Sequence, residues 1–242
     1  MTVICKALRD QIEHGLLKPG GRLPAERRLS ELFATTRITL REALAQLEAQ
    51  GLIYREERRG WFVSPPPLIY DLLSRSGFEA KTRAQGREAR VRLISANSMP
   101  ASAQICEKLQ LPALSSVIRV CYAGAIDGRW VLYGERYLNP IGVPDTAQCD
   151  FHRLEPFFSD HGMEFGEARI EMRYAALHGE ACSALKVGAG TPALCIVRLN
   201  FARHGGGIAC DMEYWRHDAL RVSALIPDGE AGDEDLSPGL HR

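Results

Sequence analysis

The stretch that most restricts the fold is residues 36–63, where one helical period gives way to two short strand-like runs. Leu40, Ala43, Leu44 and Leu47 fall at i, i+3, i+4 and i+7, the spacing of one helix face. Gly51 follows Gln50 where a left-handed cap is expected. Leu52-Ile53-Tyr54-Arg55 and Gly60-Trp61-Phe62-Val63 then read as two strands joined by the charged turn Glu56-Glu57-Arg58-Arg59. Upstream, Leu8, Ile12, Leu16 and Leu17 predict a first helix, stopped by Lys18-Pro19-Gly20-Gly21. A second helix opens after Pro24, with Glu26 near its positive end and Leu29, Leu32 and Phe33 on one face. Ala34-Thr35-Thr36 is a short connection whose hydroxyls can cap the third helix. Three helices and a basic hairpin make a winged helix-turn-helix.

Charge supports a nucleic-acid role for this part. The chain balances 30 Lys+Arg with 30 Asp+Glu, but residues 1–63 hold 11 basic against 8 acidic side chains. In a helix-turn-helix the start of the third helix enters the DNA major groove, which places Thr36, Arg37, Thr39 and Arg41 near bases and phosphates. Arginine can fork onto guanine, whereas a threonine hydroxyl more often holds a phosphate. Arg27 adds a backbone contact. At the wing tip, Arg58 and Arg59 suit the negative potential of the minor groove, and Gly60 allows close approach of the main chain. Taken singly, each arginine is as well explained as a solvated helix charge; the combination with Gly51 and the aromatic strand favours DNA.

Ser64-Pro65-Pro66-Pro67 favours a stiff extended chain and divides the molecule. The expected domains are residues 1–63, a linker at 64–75, a second domain at 76–226 and an acidic, frayed tail at 227–242. The second domain holds a loose internal repeat. A helix-like run near Cys106-Glu107-Lys108-Leu109, strands about Asp127-Gly128 and Glu135-Arg136-Tyr137 are echoed by Ala181–Leu185, Gly205-Gly206-Gly207 and Glu213-Tyr214-Trp215. One repeated helix-plus-hairpin unit predicts an antiparallel sheet with helices, so the overall class is α+β.

Several function classes fall away. The seven cysteines are scattered with no C-x-x-C pair, which suits reduced buried thiols. The histidines form no close metal-like pair, and no phosphate-cradling glycine motif, nucleophile elbow or zinc-protease pattern is present. No cofactor, no metal and no catalysis are expected. No apolar run approaches the roughly 18–20 residues of a membrane span, and the N-terminus has no leader pattern, so a cytoplasmic protein without membrane attachment is expected.

Leu23-Pro24-Ala25-Glu26-Arg27, Thr36 through Leu44, Leu47 through Ile53 and Gly60 through Val63 resemble the GntR-type bacterial transcription regulators. Where that family usually has Ser, this chain has Ala25, and the wing's usual first Gly and Thr are Arg58 and Trp61. Residues 76–225 resemble the UTRA effector domain of the HutC branch, a fold related to chorismate lyase. The stretches behind this are Asp127-Gly128-Arg129, Glu135-Arg136-Tyr137-Leu138, Ala184 through Gly188, Gly190 through Leu194 and Glu213 through Asp218. The resemblance implies a small-molecule site holding Glu135 and Glu213, with arginines for an acidic group. Thr35 through Thr39, Arg58 through Val63 and Gln85-Gly86-Arg87-Glu88 further resemble regulators of phosphonate utilisation, implying 2-aminoethylphosphonate or a metabolite of it as effector. Relatives carry arginines on the strand before the Asp-Gly turn, where Tyr122, Ala123, Gly124 and Ala125 hold none. Arg83, Arg87, Arg153, Arg198 and Arg216 are the candidate substitutes, each with a surface salt bridge as its alternative.

The resulting expectation is a homodimeric transcription factor that binds a palindromic double-stranded operator and is released or engaged by a small effector. The alternatives are the same architecture sensing a sugar phosphate or amino-acid catabolite, and a lyase-like enzyme.

Overall fold

The computed structural model describes residues 3–56, 58–140, 165–203 and 205–225. Helix α1 (Val3–Glu13), α2 (Glu26–Leu32) and α3 (Arg37–Ala49) precede a hairpin of β1 (Ile53–Glu56) and β2 (Gly60–Val63). Thr36 caps α3: its Oγ1 accepts from the Thr39 amide at 3.2 Å. The helix ends as expected, with Gly51 at φ +72° and the Leu52 amide returning to the Leu47 carbonyl at 3.1 Å. The apolar seams of the helices meet in one core, in which Leu40, Ala43, Leu44 and Leu47 are fully buried beside Leu8, Leu29, Ile53 and Trp61. The wing pairs antiparallel from Ile53↔Val63 to Glu56↔Gly60. Arg22 adds a bridge to Phe62, so the turn after α1 runs along the wing's outer side.

Residues 64–75 are not linker throughout. Strand β3 (Leu68–Asp71) pairs in parallel with β10 (Leu220–Ser223), and Leu68 and Tyr70 are buried while Ile69 faces outward. The cause is the apolar alternation after the prolines, which gives the chain one face worth burying. The segment thereby returns the end of the second domain to its beginning.

The second domain is a six-stranded antiparallel sheet. Its strands are β4 (Ala89–Pro100), β5 (Ser116–Ile126), β6 (Arg129–Leu138), β7 (Phe165–Ala176), β8 (Pro192–Ala202) and β9 (Gly207–Arg216), in the spatial order β4-β5-β6-β9-β8-β7. The expected repeat is visible as a helix and hairpin on each side: α5 (Ala103–Leu109) with β5 and β6, and α6 (Gly179–Leu185) with β8 and β9. Both short helices cover the same sheet face, where Ile105, Leu109, Ala184 and Leu185 meet Cys121, Tyr133, Cys195 and Val197. The other face receives α4 (Phe78–Ala84) and the β3–β10 pair, which pack Phe78, Leu68 and Tyr70 on Trp215 and Leu132. Five of the six described cysteines are buried and all six are free thiols. Burial pushes the Cys210 thiol up to about 12, far from reactive thiolate character. No helix among the described residues is long and apolar enough to cross a membrane, and no metal-ligating cluster occurs among them.

Candidate nucleic-acid interface and ligand site

Glu26 organises the basic end. Its carboxylate accepts from Arg41 Nε at 2.9 Å and from Trp61 Nε1 at 3.1 Å, so one side chain of α2 ties α3 to the wing. Burial alone would raise its carboxyl, but the bonds from Arg41 and Trp61 hold it below the ordinary range. Arg41 is thus oriented while its side chain stays 69% exposed. Arg37, on the first turn of α3, is exposed with no partner among the described residues. Thr36 and Thr39 hydroxyls lie 3.1 Å apart and serve the helix cap. Arg27 sits exposed on α2, 3.6 Å from Glu31. At the wing, Arg58 takes φ +61° and Gly60 φ +100°, the left-handed backbone that a tight turn requires. Arg59 pairs with Glu56 and lies over the Phe62 ring. Arg22, which carries no signal of its own in the sequence, approaches Gly60 closely enough to add a cation at the turn end of the wing.

The described second-domain candidates fall into four places. Gly134 lies directly opposite Glu213 across the β6–β9 ladder, whereas Glu135 lies opposite Met212. Successive strand residues alternate faces, so Glu135 and Glu213 are on opposite sides of the sheet. Glu135 is on the helix-covered face, accepting from Arg119 at 2.6 Å and from the Tyr137 hydroxyl at 3.0 Å. Glu213 is on the face under α4 and β3, accepting from Trp215 Nε1 at 2.9 Å. Arg198 shares that face; its guanidinium donates to the Leu72 carbonyl at 3.1 Å and the Ser74 carbonyl at 3.4 Å.

Beside Glu213 runs a row of charge. Asp211 is opposite Arg136 on β6 and opposite Arg198 on β8, so the three residues stand in one row across the sheet. Arg136 pairs with Asp211, whose second oxygen accepts from Asn200 Nδ2 at 3.1 Å. Tyr70 and Tyr122 flank the row, and burial, with Glu213 next, drives both phenols well above their usual range. Tyr122 occupies space that Gly134 leaves open: a Cβ there would stand 2.2 Å from the ring. Aromatic bulk therefore stands on the strand before the Asp127-Gly128 turn. Arg136 and Asp211 were missed because the glutamate motif drew attention to Glu135; the register, one residue out, selects its neighbour instead.

The remaining arginines lie elsewhere. Arg83 is on the surface of α4 with Glu79 at 3.2 Å. Arg87 binds Asp127 at 2.8 Å and the Pro66 carbonyl at 2.7 Å, and Arg216 is buried beside Asp218; both belong to the junction between the domains. Arg153 and the tail beyond residue 225 lie outside the described residues.

Residues 2–63 match the gntR family of bacterial regulatory proteins, and residues 84–221 match the UTRA domain. The uncharacterized HTH-type transcriptional regulator YihL of Escherichia coli (strain K12) is 30% identical over 212 residues, 86% of this chain and 90% of its own. A protein of the same strain named "Probable fructoselysine utilization operon transcriptional repressor" is 32% identical over 144 residues, 60% of this chain and 59% of its own. The crystal structure of PhnF from Mycobacterium smegmatis superposes with a TM-score of 0.64 at 21% identity, covering 93% of this chain and 100% of that one, a likeness of fold. The two Escherichia coli relatives are named as regulators of transcription. The chain therefore belongs to the gntR family of bacterial transcription regulators, its helix-turn-helix segment followed by a UTRA domain.

Proposed function

We propose that this protein is a cytoplasmic homodimer that reads a palindromic operator and senses a small zwitterion, of which 2-aminoethylphosphonate is the prime candidate. The domain limits proposed are 1–63 for DNA reading and 76–226 for sensing. Arg37 and Arg41 meet the major groove, Thr36, Thr39 and Arg27 the adjacent phosphates, and Arg58, Arg59 and Gly60 the flanking minor groove.

The observation that carries the effector reading is the row Arg136–Asp211–Arg198 with Glu213 one step along β9. Two cations and two anions on one face suit a ligand with an acidic and an ammonium group, each able to replace an internal partner by a charge-assisted bond. Glu135, with Arg119, is assigned to packing of the helix-covered face. A second reading follows from the fructoselysine-named relative: a sugar–amine adduct offers the same charges with more hydroxyls.

Isothermal titration with 2-aminoethylphosphonate, fructoselysine and a sugar phosphate discriminates the readings. Saturable binding of the first, lost in Arg198→Ala and kept in Arg83→Ala, is expected. Binding of the sugar phosphate alone would overturn the zwitterion assignment.

A further inference from the structure

The two domains meet at a buried ionic knot that neither the DNA contacts nor the ligand row uses. Asp218, on the turn after β9, has a side chain 0% exposed. It accepts from Arg129 Nη2 at 2.6 Å and from Ser64 Oγ at 3.0 Å, with Arg216 Nε at 3.5 Å. Ser64 directly follows β2 of the wing, so the carboxylate is bonded to the sensing domain and to the first residue after the wing. The guanidinium carbons of Arg129 and Arg216 lie 3.5 and 5.0 Å from the ring centroid of Tyr54, on β1. One aromatic side chain of the wing is therefore held by two cations of the sensing domain. Next to it, His217 Nε2 donates to the Glu48 carbonyl, in the last turn of α3, at 2.8 Å. The closeness extends to the backbone: a Cβ on Gly51 would stand 3.6 Å from Asp218 Cα.

The placement of these groups on the strands matters. Arg129 opens β6, which also carries Arg136; Arg216 closes β9, which also carries Asp211 and Glu213. The two strands are paired from Leu132↔Trp215 to Leu138↔Ala209. Three residues of extended chain, about 10 Å, separate Glu213 from Arg216. A shift of β6 against β9 moves both guanidiniums relative to Tyr54.

A knot of this kind is all-or-none in character. With both arginines present the Asp218 carboxylate is paired, whereas removal of a partner leaves a desolvated charge unpaired. Two guanidiniums share the one carboxylate, both lie against the Tyr54 ring, and Arg129 Nε has no hydrogen-bond partner.

We propose that Asp218, Arg129 and Arg216 form a latch on Tyr54 that fixes the wing against the six-stranded sheet, and that sliding of β6 against β9 opens it. The latch stands without any assumption about ligand or operator; its opening by ligand rests on the effector reading above.

Hydrogen exchange of the full chain, without DNA or ligand, tests the latch alone. The reporters are the Leu68 amide, bonded to the Ala219 carbonyl at 2.9 Å, and the Ser64 amide, bonded to the Leu52 carbonyl at 2.9 Å. In Asp218→Asn and in Tyr54→Leu both should exchange at least tenfold faster than in the wild type, with β5 and β8 protected as before. Wild-type exchange at both reporters in both variants overturns the proposal. If Asp218→Asn also exposes β5 and β8, the comparison rests on Tyr54→Leu, which leaves the ions paired and has the same two outcomes. Adding 2-aminoethylphosphonate to the wild type then isolates the effector reading: faster exchange at the two reporters supports coupling, and unchanged exchange with intact titration binding removes it.

Discussion

At the scale of single residues, the arginines proposed to face DNA are not equivalent. Arg37 is exposed and unpaired among the described residues, whereas Arg41 is already held by Glu26. Arg37→Ala should weaken operator binding by roughly 5- to 150-fold, about 1–3 kcal/mol, if the guanidinium forks onto a base, as read by fluorescence anisotropy at fixed salt. Glu26→Gln should weaken binding less but unsettle both Arg41 and Trp61, which Trp fluorescence reports. Asp218 gives a dependence on acidity. Burial raises its carboxyl, but Arg129 and Arg216 more than offset this and hold it below the ordinary 3.8. Tyr54, His217 and Glu48 complete its ionisable surroundings. Because the folded value is depressed, the contribution of Asp218 is present above the unfolded value and is lost as pH falls through the folded one. The stability gap between wild type and Asp218→Asn in urea should narrow as pH is lowered from about 6 to about 3. A gap that widens would contradict the pairing.

At the scale of elements, the three helices and the wing were legible, but α1 ends at Glu13, short of the expected Leu16 and Leu17, and Leu32 faces outward instead of into the core. Thr36 and Gly51 carry local signals that the structure realises, whereas Pro24, expected in the first turn, precedes the Ala25 cap of α2. The core the helices build should be sensitive: Leu44→Ala, at a fully buried position, should cost about 2–5 kcal/mol in chemical unfolding. The sheet was legible as a repeated hairpin but not in its register. Equating Glu135 with Glu213 is natural from the sequence repeat, yet Gly134 faces Glu213, and that single-residue offset moves one glutamate to the opposite side. The row Arg136–Asp211–Arg198 is a product of pairing between three strands, information that no local window contains. Likewise the strand at Leu68–Asp71 escaped notice because its partner, β10, is far along the chain. Glu213→Ala should leave operator affinity within about twofold and abolish the response to 2-aminoethylphosphonate, whereas Glu135→Ala should lower thermal stability without abolishing it.

At the scale of the whole molecule, the design is a basic reader joined to a sensing sheet by a buried charged contact. A dimer of such chains sets two recognition helices at a spacing fixed by how each wing lies on its own sheet, and half-site spacing follows from that geometry. A ligand that changes the attitude of the wings by shifting β6 against β9 changes operator affinity in proportion to its preference for one arrangement. The most direct test of the central claim is selection of bound duplexes from a random-sequence pool by the purified full chain at physiological salt. The account predicts enrichment of a two-fold symmetric pair of half-sites, displaced by excess of the selected duplex and not by random competitor. Recovery of a pool with no sequence in common would contradict it.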